Sequence, residues 1–371
     1  MKTIGIVSCN INCNFTNYGS ALQSWALSHA IERCSGSIIT KLVDYCPTLH
    51  LESNALNPAR KMWDQDEETK KNIELSMPAI RENYYKFEDF YTNRFRKTKK
   101  KYTSRNYNDI IADEGIDGFV CGSDTIFCVD EWKEFDEAYY ANYDSMRNRS
   151  VAYAASFGDS HFKENDYPVL NAMLQNFKAI GLRENDMLDY VRKQVKVRAE
   201  RVIDPTLLLK AEEYDSITAE PQEQEKYLLL YSRRYNKKME EYADALAKRN
   251  GWKVVEISIR ATNADRHTMR YDAGVEEFLS LVKHCECMVT NSFHGIIFST
   301  QFRRPFYCFS REQGDKKIGE LLALFGLNNR ILVNGSEDVP NSVDFDEVHR
   351  RIGKMREFSM DFLKYELQLI S

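Results

Sequence analysis

The sequence contains no run of about 18 apolar residues, the length a helix needs to cross a bilayer. It also lacks an excess of positive charge: 51 Lys and Arg stand against 56 Asp and Glu, for a net charge of −5 and a pI near 5.9. A duplex binder normally presents a basic domain or stripe, so nucleic acid is not the expected partner. Neither GxGxxG nor GxxxxGK[ST] occurs, which leaves a nucleotide-phosphate loop without motif support. The nine cysteines are odd in number and scattered, with no disulfide-like framework. Cys9 and Cys13 near Cys46, and Cys285 with Cys287, lack the second tight pair that a structural zinc site needs; buried small hydrophobes explain them better. No metal is expected. A reducing compartment fits this cysteine usage. The opening MKTIGIVSCN has an apolar run broken by Asn10, too short for the apolar region of a signal peptide, so a cytoplasmic location is expected.

What is present is enough chain for two cores. At about 150 residues per domain, 371 residues suggest two lobes. Continuous Ile- and Val-rich runs at 3–11, 38–46, 117–122, 150–156 and 178–183 alternate with helical spacing, as in a parallel sheet covered on both faces. Residues 54–108 are polar, charged and aromatic in a helical pattern and read as an insertion or lid. Residues 200–226, with two prolines and a polar run, read as a linker between a first lobe at 1–199 and a second at 227–342. The strand–helix rhythm restarts at 227–232, 252–258, 285–290 and 304–309. The apolar spacing at 343–371 predicts a helix that packs back on the first lobe. The expected fold is therefore α/β, two doubly wound Rossmann-like lobes facing across a cleft, similar to the GT-B architecture. Ligands of such sheets bind beyond the carboxyl ends of the strands.

Chemistry is accordingly sought in the loops that follow strands. VTNSFHG ends a strand at Thr290 and opens a helix near Gly295. Unpaired N–H groups and the positive end of the helix dipole there suit an anion, with Asn291 and Ser292 in the turn. His294 could exchange a proton near neutral pH; the plainer reading is a capped helix beside a satisfied, buried histidine. Arg183 ends the run KAIGLR, where its fork could clamp a carboxylate or phosphate, or pair with Glu184. Arg233 and Arg234 follow the first strand of the second lobe. Ser123 and Asp124 in VCGSDTIF could hydrogen-bond sugar hydroxyls or cap a turn. Asn17, Tyr18, Gly19 and Gln23 lie in or just after the first strand–helix loop with Trp25, an aromatic that suits sugar stacking or a core. The basic run 94–105 could touch anionic headgroups, although a solvated face is the simpler reading.

Taken in order, NYGSALQSWAL (17–27), DGFVCGSDTIF (117–127), VAYAASFG (151–158), IGLREND (180–186), VIDPTLLL (202–209) and VTNSFHG with RRPF (289–306) resemble the polysaccharide pyruvyl transferases. That resemblance implies phosphoenolpyruvate as donor, a glycan or lipid-linked oligosaccharide as acceptor, and no required metal or cofactor. It assigns donor contact or chemistry to Arg183 and His294, with Asn291, Ser292, Gly295 and Arg233 on the donor side. Asn17, Tyr18, Gly19, Gln23, Ser123 and Asp124 are then expected on the acceptor side. Many members carry an arginine where this sequence has Ser292, so Arg233, Arg234 or Arg303 must supply the second cation. A lipid-linked acceptor would place the protein at the inner face of the membrane. The competing expectations are a nucleotide-sugar glycosyltransferase and a non-catalytic glycan-binding protein of the same fold.

Overall fold

The computed structural model describes residues 1–13, 15–58, 67–310, 315–335 and 342–370. Part of the expected insertion (59–66), parts of the second lobe (311–314 and 336–341) and Ser371 lie outside the described residues. The first lobe carries β1 (Lys2–Val7), β2 (Ile38–Leu42), β3 (Gly118–Cys121), β4 (Ser150–Ala155), β5 (Phe177–Leu182) and β6 (Arg198–Arg201). The second carries β7 (Tyr227–Tyr231), β8 (Lys253–Ile257), β9 (Thr268–Met269), β10 (Cys287–Thr290), β11 (Phe306–Phe309) and β12 (Ile331–Leu332). Between them run α1 (Tyr18–Cys34), α2 (Glu67–Arg94), α3 (Ile110–Glu114), α4 (Val129–Trp132), α5 (Asp166–Leu174), α6 (Leu188–Gln194), α7 (Lys237–Asn250), α8 (Val275–His284), α9 (Phe293–Gln301), α10 (Asp315–Phe325) and α11 (Phe345–Leu367).

Both sheets are parallel, and β3, β4, β7 and β10 are buried at every position, which is why they read as unbroken apolar runs. The first sheet is ordered β2-β1-β3-β4-β5-β6 and the second β12-β11-β10-β7-β8-β9. Strand order reverses between β1 and β3 in one lobe and between β7 and β10 in the other, so each lobe has a topological switch point. The two-lobed, doubly wound expectation holds. Its boundaries shift: β6 pairs with β5 through Leu182 and Arg201, so the first sheet reaches into the stretch expected as linker. The segment after β6 is packed rather than loose, with Pro205, Thr206, Leu207 and Tyr214 buried.

Two helices bind the lobes to each other. Although α2 belongs to the first lobe by sequence, it lies against the second: Ser76 Oγ donates to the Ile259 carbonyl, Asn83 donates to the Ala273 carbonyl, and Lys86 pairs with Asp272 and Glu277. The chain beyond α2 runs beside β2, with Thr98 N donating to Leu42 O and Tyr102 N to Asp44 O. This fixes the basic run, whose Arg94, Arg96, Lys97 and Lys100 pair with Glu276, Glu32, Asp44 and Asp113. Among the described residues, no helix is long and apolar enough to cross a membrane. At the other end, α11 lies over the first lobe: Ser359 Oγ accepts from Ile203 N at 3.1 Å, and Glu366 pairs with Arg198 at 2.8 Å.

Ser359 is fully buried, so Ser359→Ala leaves the Ile203 N–H without a partner. A loss of about 1–3 kcal/mol in urea unfolding is expected, and an unchanged midpoint would contradict the docking of α11 described here.

Candidate functional site

The two switch points meet, and each is tied by one buried amide side chain. In the first lobe Gln23 Nε2 donates to Ser8 Oγ at 2.7 Å while its Oε1 accepts from Ser123 N at 2.8 Å, joining the loops after β1 and β3. In the second, Asn291 Oδ1 accepts from Arg233 N and its Nδ2 donates to Arg234 O, joining the loops after β7 and β10. Gln23 and Asn291 are both fully buried. They set the loops rather than present themselves to a ligand.

His294 crosses from the second lobe into the first. It sits in the first turn of α9, whose Ser292 cap accepts from Gly295 N at 3.2 Å. Gly295 is required there, since a Cβ would come within 2.7 Å of Thr290 Oγ1. The imidazole lies on Gly19, where any Cβ would overlap the ring, so the first turn of α1 must carry glycine for the lobes to approach. The cap of α1 is Asn17, whose Oδ1 accepts from Gly19 N and Ser20 N. His294 Nε2 is buried, has no hydrogen-bond partner among the described residues and faces Asp204 Oδ2 at 3.6 Å.

Asp204 is the hub. Its Oδ1 accepts from Thr206 N and Oγ1, and its Oδ2 accepts from Arg183 Nη1 at 3.0 Å and from Ser123 Oγ at 3.4 Å. Burial works against the charge on Asp204, yet His294, then Arg183 and Thr206, outweigh it and hold the carboxyl far below its usual range. Arg183 donates also to Glu184 at 2.8 Å, lies 3.9 Å from Asp124, and has Phe293 4.4 Å from its guanidinium carbon. One cation thus faces three carboxylates. Burial likewise penalises the charge on Asp124, but Arg183, His294 and Lys317 keep its pKa lowered.

A family profile for polysaccharide pyruvyl transferases matches residues 17–313, from the cap of α1 through both switch points. The chain belongs to the polysaccharide pyruvyl transferase family. Among curated proteins, none matches the chain. Solved structures resembling it include S. aureus MnaA with UDP, at 13% identity and TM-score 0.49, covering 99% of this chain and 91% of that one. A Methanocaldococcus jannaschii UDP-GlcNAc 2-epimerase with UDP-GlcNAc and UDP shares 13% identity at TM-score 0.47, over 96% and 92%. E. coli ADP-heptose LPS heptosyltransferase II shares 11% at TM-score 0.35, over 96% and 99%.

Within this family member the expected site residues divide into those at the surface of the junction and those beneath it. Arg183, expected at the donor, is only 6% exposed and its fork is occupied by carboxylates. Tyr18 is buried, stacked on Phe278, with its OH donating to the Ala273 carbonyl. Ser123 is buried with its Oγ on the Ala154 carbonyl, and Trp25 packs in the core against Tyr214. The polar atoms of Tyr18, Gln23 and Ser123, expected as acceptor contacts, are thus used inside the protein. Arg303 is also removed as a substitute cation: it lies just past the far end of α9, paired with Asp346. Arg233 remains. Its guanidinium lies over the Phe15 ring at 4.9 Å and forms no ion pair among the described residues. Among the described residues, no three His, Cys, Asp or Glu converge to hold a metal.

Sequence reasoning missed Asp204 and Glu131. The signal for Asp204 was VIDPT, a capping aspartate before proline, which says nothing of its partner Arg183. Glu131 in α4 is raised by burial and then by Asp124, against the opposing pull of Thr125, Lys317 and Arg233. A perturbed carboxyl among these groups marks the same junction.

Two substitutions probe the geometry. Gly19→Ala should gain about 1 kcal/mol from helix propensity alone, so a net loss of about 1–3 kcal/mol in urea unfolding would report the clash with His294. Asp204→Asn leaves the Arg183 charge poorly compensated and should cost about 3–5 kcal/mol at pH 7. Because the folded pKa of Asp204 lies below its unfolded value, that stability is complete above about pH 4 and declines as the pH drops further. A wild-type advantage that instead shrank between pH 7 and pH 5 would contradict the assignment.

Proposed function

We propose that the chain moves the enolpyruvyl group of phosphoenolpyruvate onto a glycan hydroxyl pair, forming a pyruvate ketal and releasing phosphate. The observation that supports this reading most is the family histidine, held between Gly19 of one lobe and Asp204 of the junction where both switch points meet. Phosphoenolpyruvate is a compact anion, and its phosphate needs a cation with free capacity. In our reading Arg233 supplies it beside the backbone N–H groups at the start of α9, within the turn of Asn291, Ser292 and Gly295.

The chemistry then follows the charge. His294 gives a proton to the methylene carbon, which becomes a methyl group, while Asp204 beside its Nε2 orients the ring. Positive charge develops on the carbon bearing the phosphate oxygen, and a sugar hydroxyl adds there with loss of its proton. The carbon–oxygen bond to phosphate breaks, and a neighbouring hydroxyl of the same sugar adds to the same carbon, losing its proton as the ring closes. Asn17 and Asp124 border the acceptor side, and Asp124 already accepts from Ser20 Oγ at 3.1 Å. A lipid-linked acceptor at the cytoplasmic face of the membrane is part of this proposal.

Incubation with phosphoenolpyruvate and glycan acceptors should release phosphate, whereas UDP-sugars should release no UDP. His294→Ala should lower turnover by about 100- to 10,000-fold while the protein stays folded. Arg233→Ala should raise KM for phosphoenolpyruvate about tenfold or more, with a smaller effect on kcat. Full turnover by a folded His294→Ala protein would remove the proposed acid.

A further inference from the structure

A second basic site lies at the opposite end of α9 from the junction. There a cavity of about 450 Å³ opens between the packed segment after β6, the ends of α8 and α9, and α11. Its lining holds five Lys or Arg side chains, Lys210, Lys283, Arg303, Arg304 and Arg356, against the two carboxylates of Glu212 and Asp215. Three positive charges in excess are thus gathered in a chain whose net charge is −5.

The internal partners of these cations are uneven. Lys283 pairs with Asp215, Arg303 with Asp346, and Arg356 donates to the carbonyls of Leu207 and Leu209. Lys210 forms no ion pair among the described residues. The guanidinium of Arg304 donates no hydrogen bond among them either, although its Nε is buried away from water. The hydroxyl of Thr300, one turn away, is likewise buried without a partner. A buried donor without an acceptor costs about 1–3 kcal/mol, more for a charged group, so it is normally satisfied by something.

We propose that this cavity is a binding site for a small, multiply charged phosphate compound, separate from the junction that holds His294. Three observations converge on that ligand class. The volume lies within the range of small-molecule pockets. The charge excess matches a di- or triphosphate-like anion. The arginine forks suit tetrahedral oxyanions, with Arg304 and Lys210 holding free capacity. The ligand would join the interlobe segment, the second lobe and the returning helix. Gln301, also in the lining, donates to the carbonyls of Thr206 and Leu209, so the cavity wall grips the segment that begins at Asp204.

The test uses inorganic pyrophosphate as probe, with sodium chloride of equal ionic strength as reference. Pyrophosphate should raise Tm, and calorimetry should give a Kd that rises about tenfold or more in Lys210→Ala and in Arg304→Ala. The exposed Lys210 makes its variant safe to fold even if Arg304→Ala is not. In Arg233→Ala, which removes the junction's own phosphate contact, the pyrophosphate binding that Lys210→Ala and Arg304→Ala weaken should remain. Absence of any shift beyond the salt reference, or binding lost in Arg233→Ala but kept in both cavity variants, overturns the proposal. Vesicles containing phosphatidylglycerol provide the last arm: vesicle binding lost in Lys210→Ala, with no response to pyrophosphate, would assign the site to a membrane headgroup and contradict a small ligand.

Discussion

One buried charge organises this protein's centre. A guanidinium removed from water is tolerated only when partners replace its hydration, and Arg183 has three carboxylates and an aromatic face around it. Because Asp204 is held by Arg183 on one side and by Thr206 on the other, its remaining edge is fixed toward His294. The aspartate comes from the segment between the lobes and the histidine from the second lobe. The surface on which the histidine rests, Gly19, comes from the first. The placement of His294 therefore depends on the lobes being held in register, and α2 and α11 are the struts that hold them.

Much of the fold was legible in the sequence because buried parallel strands write themselves as uninterrupted apolar runs. What stayed hidden was short or lay at an edge. β6 reads Arg-Ala-Glu-Arg and looks like linker, while β9 and β12 are two residues each. The helical pattern before residue 95 was visible, but periodicity marks an apolar face without naming what covers it; α2 turned out to cover the other lobe.

The site was legible in outline only. His294, Arg183, Ser123, Asp124 and Gly19 do come together around Asp204, from loops that a strand-then-turn pattern singles out. Their employment was not readable, because a polar residue after a strand can face a ligand or another loop with equal ease. Gln23 and Asn291 face loops. Asn17 and Ser292 are caps, which the plainer reading allowed for the turn of Ser292. Arg183 needed Asp204 for its meaning, and nothing in the spacing of IGLREND and VIDPT says that these residues touch.

Two regions of positive charge then differ in kind. At Arg183 the charge is neutralised many times over and serves geometry, whereas at Arg233 it is uncommitted and sits beside the start of α9. The central claim is that the donor's phosphate is received at the second of these and its carbon skeleton is delivered to the histidine. Crystals soaked with phosphoenolpyruvate test this most directly. The account predicts phosphate density against Arg233 and the turn 291–295, with the methylene carbon beside His294. Phosphate bound on Arg183 with its carboxylates displaced, or a ligand absent from the junction altogether, would contradict it.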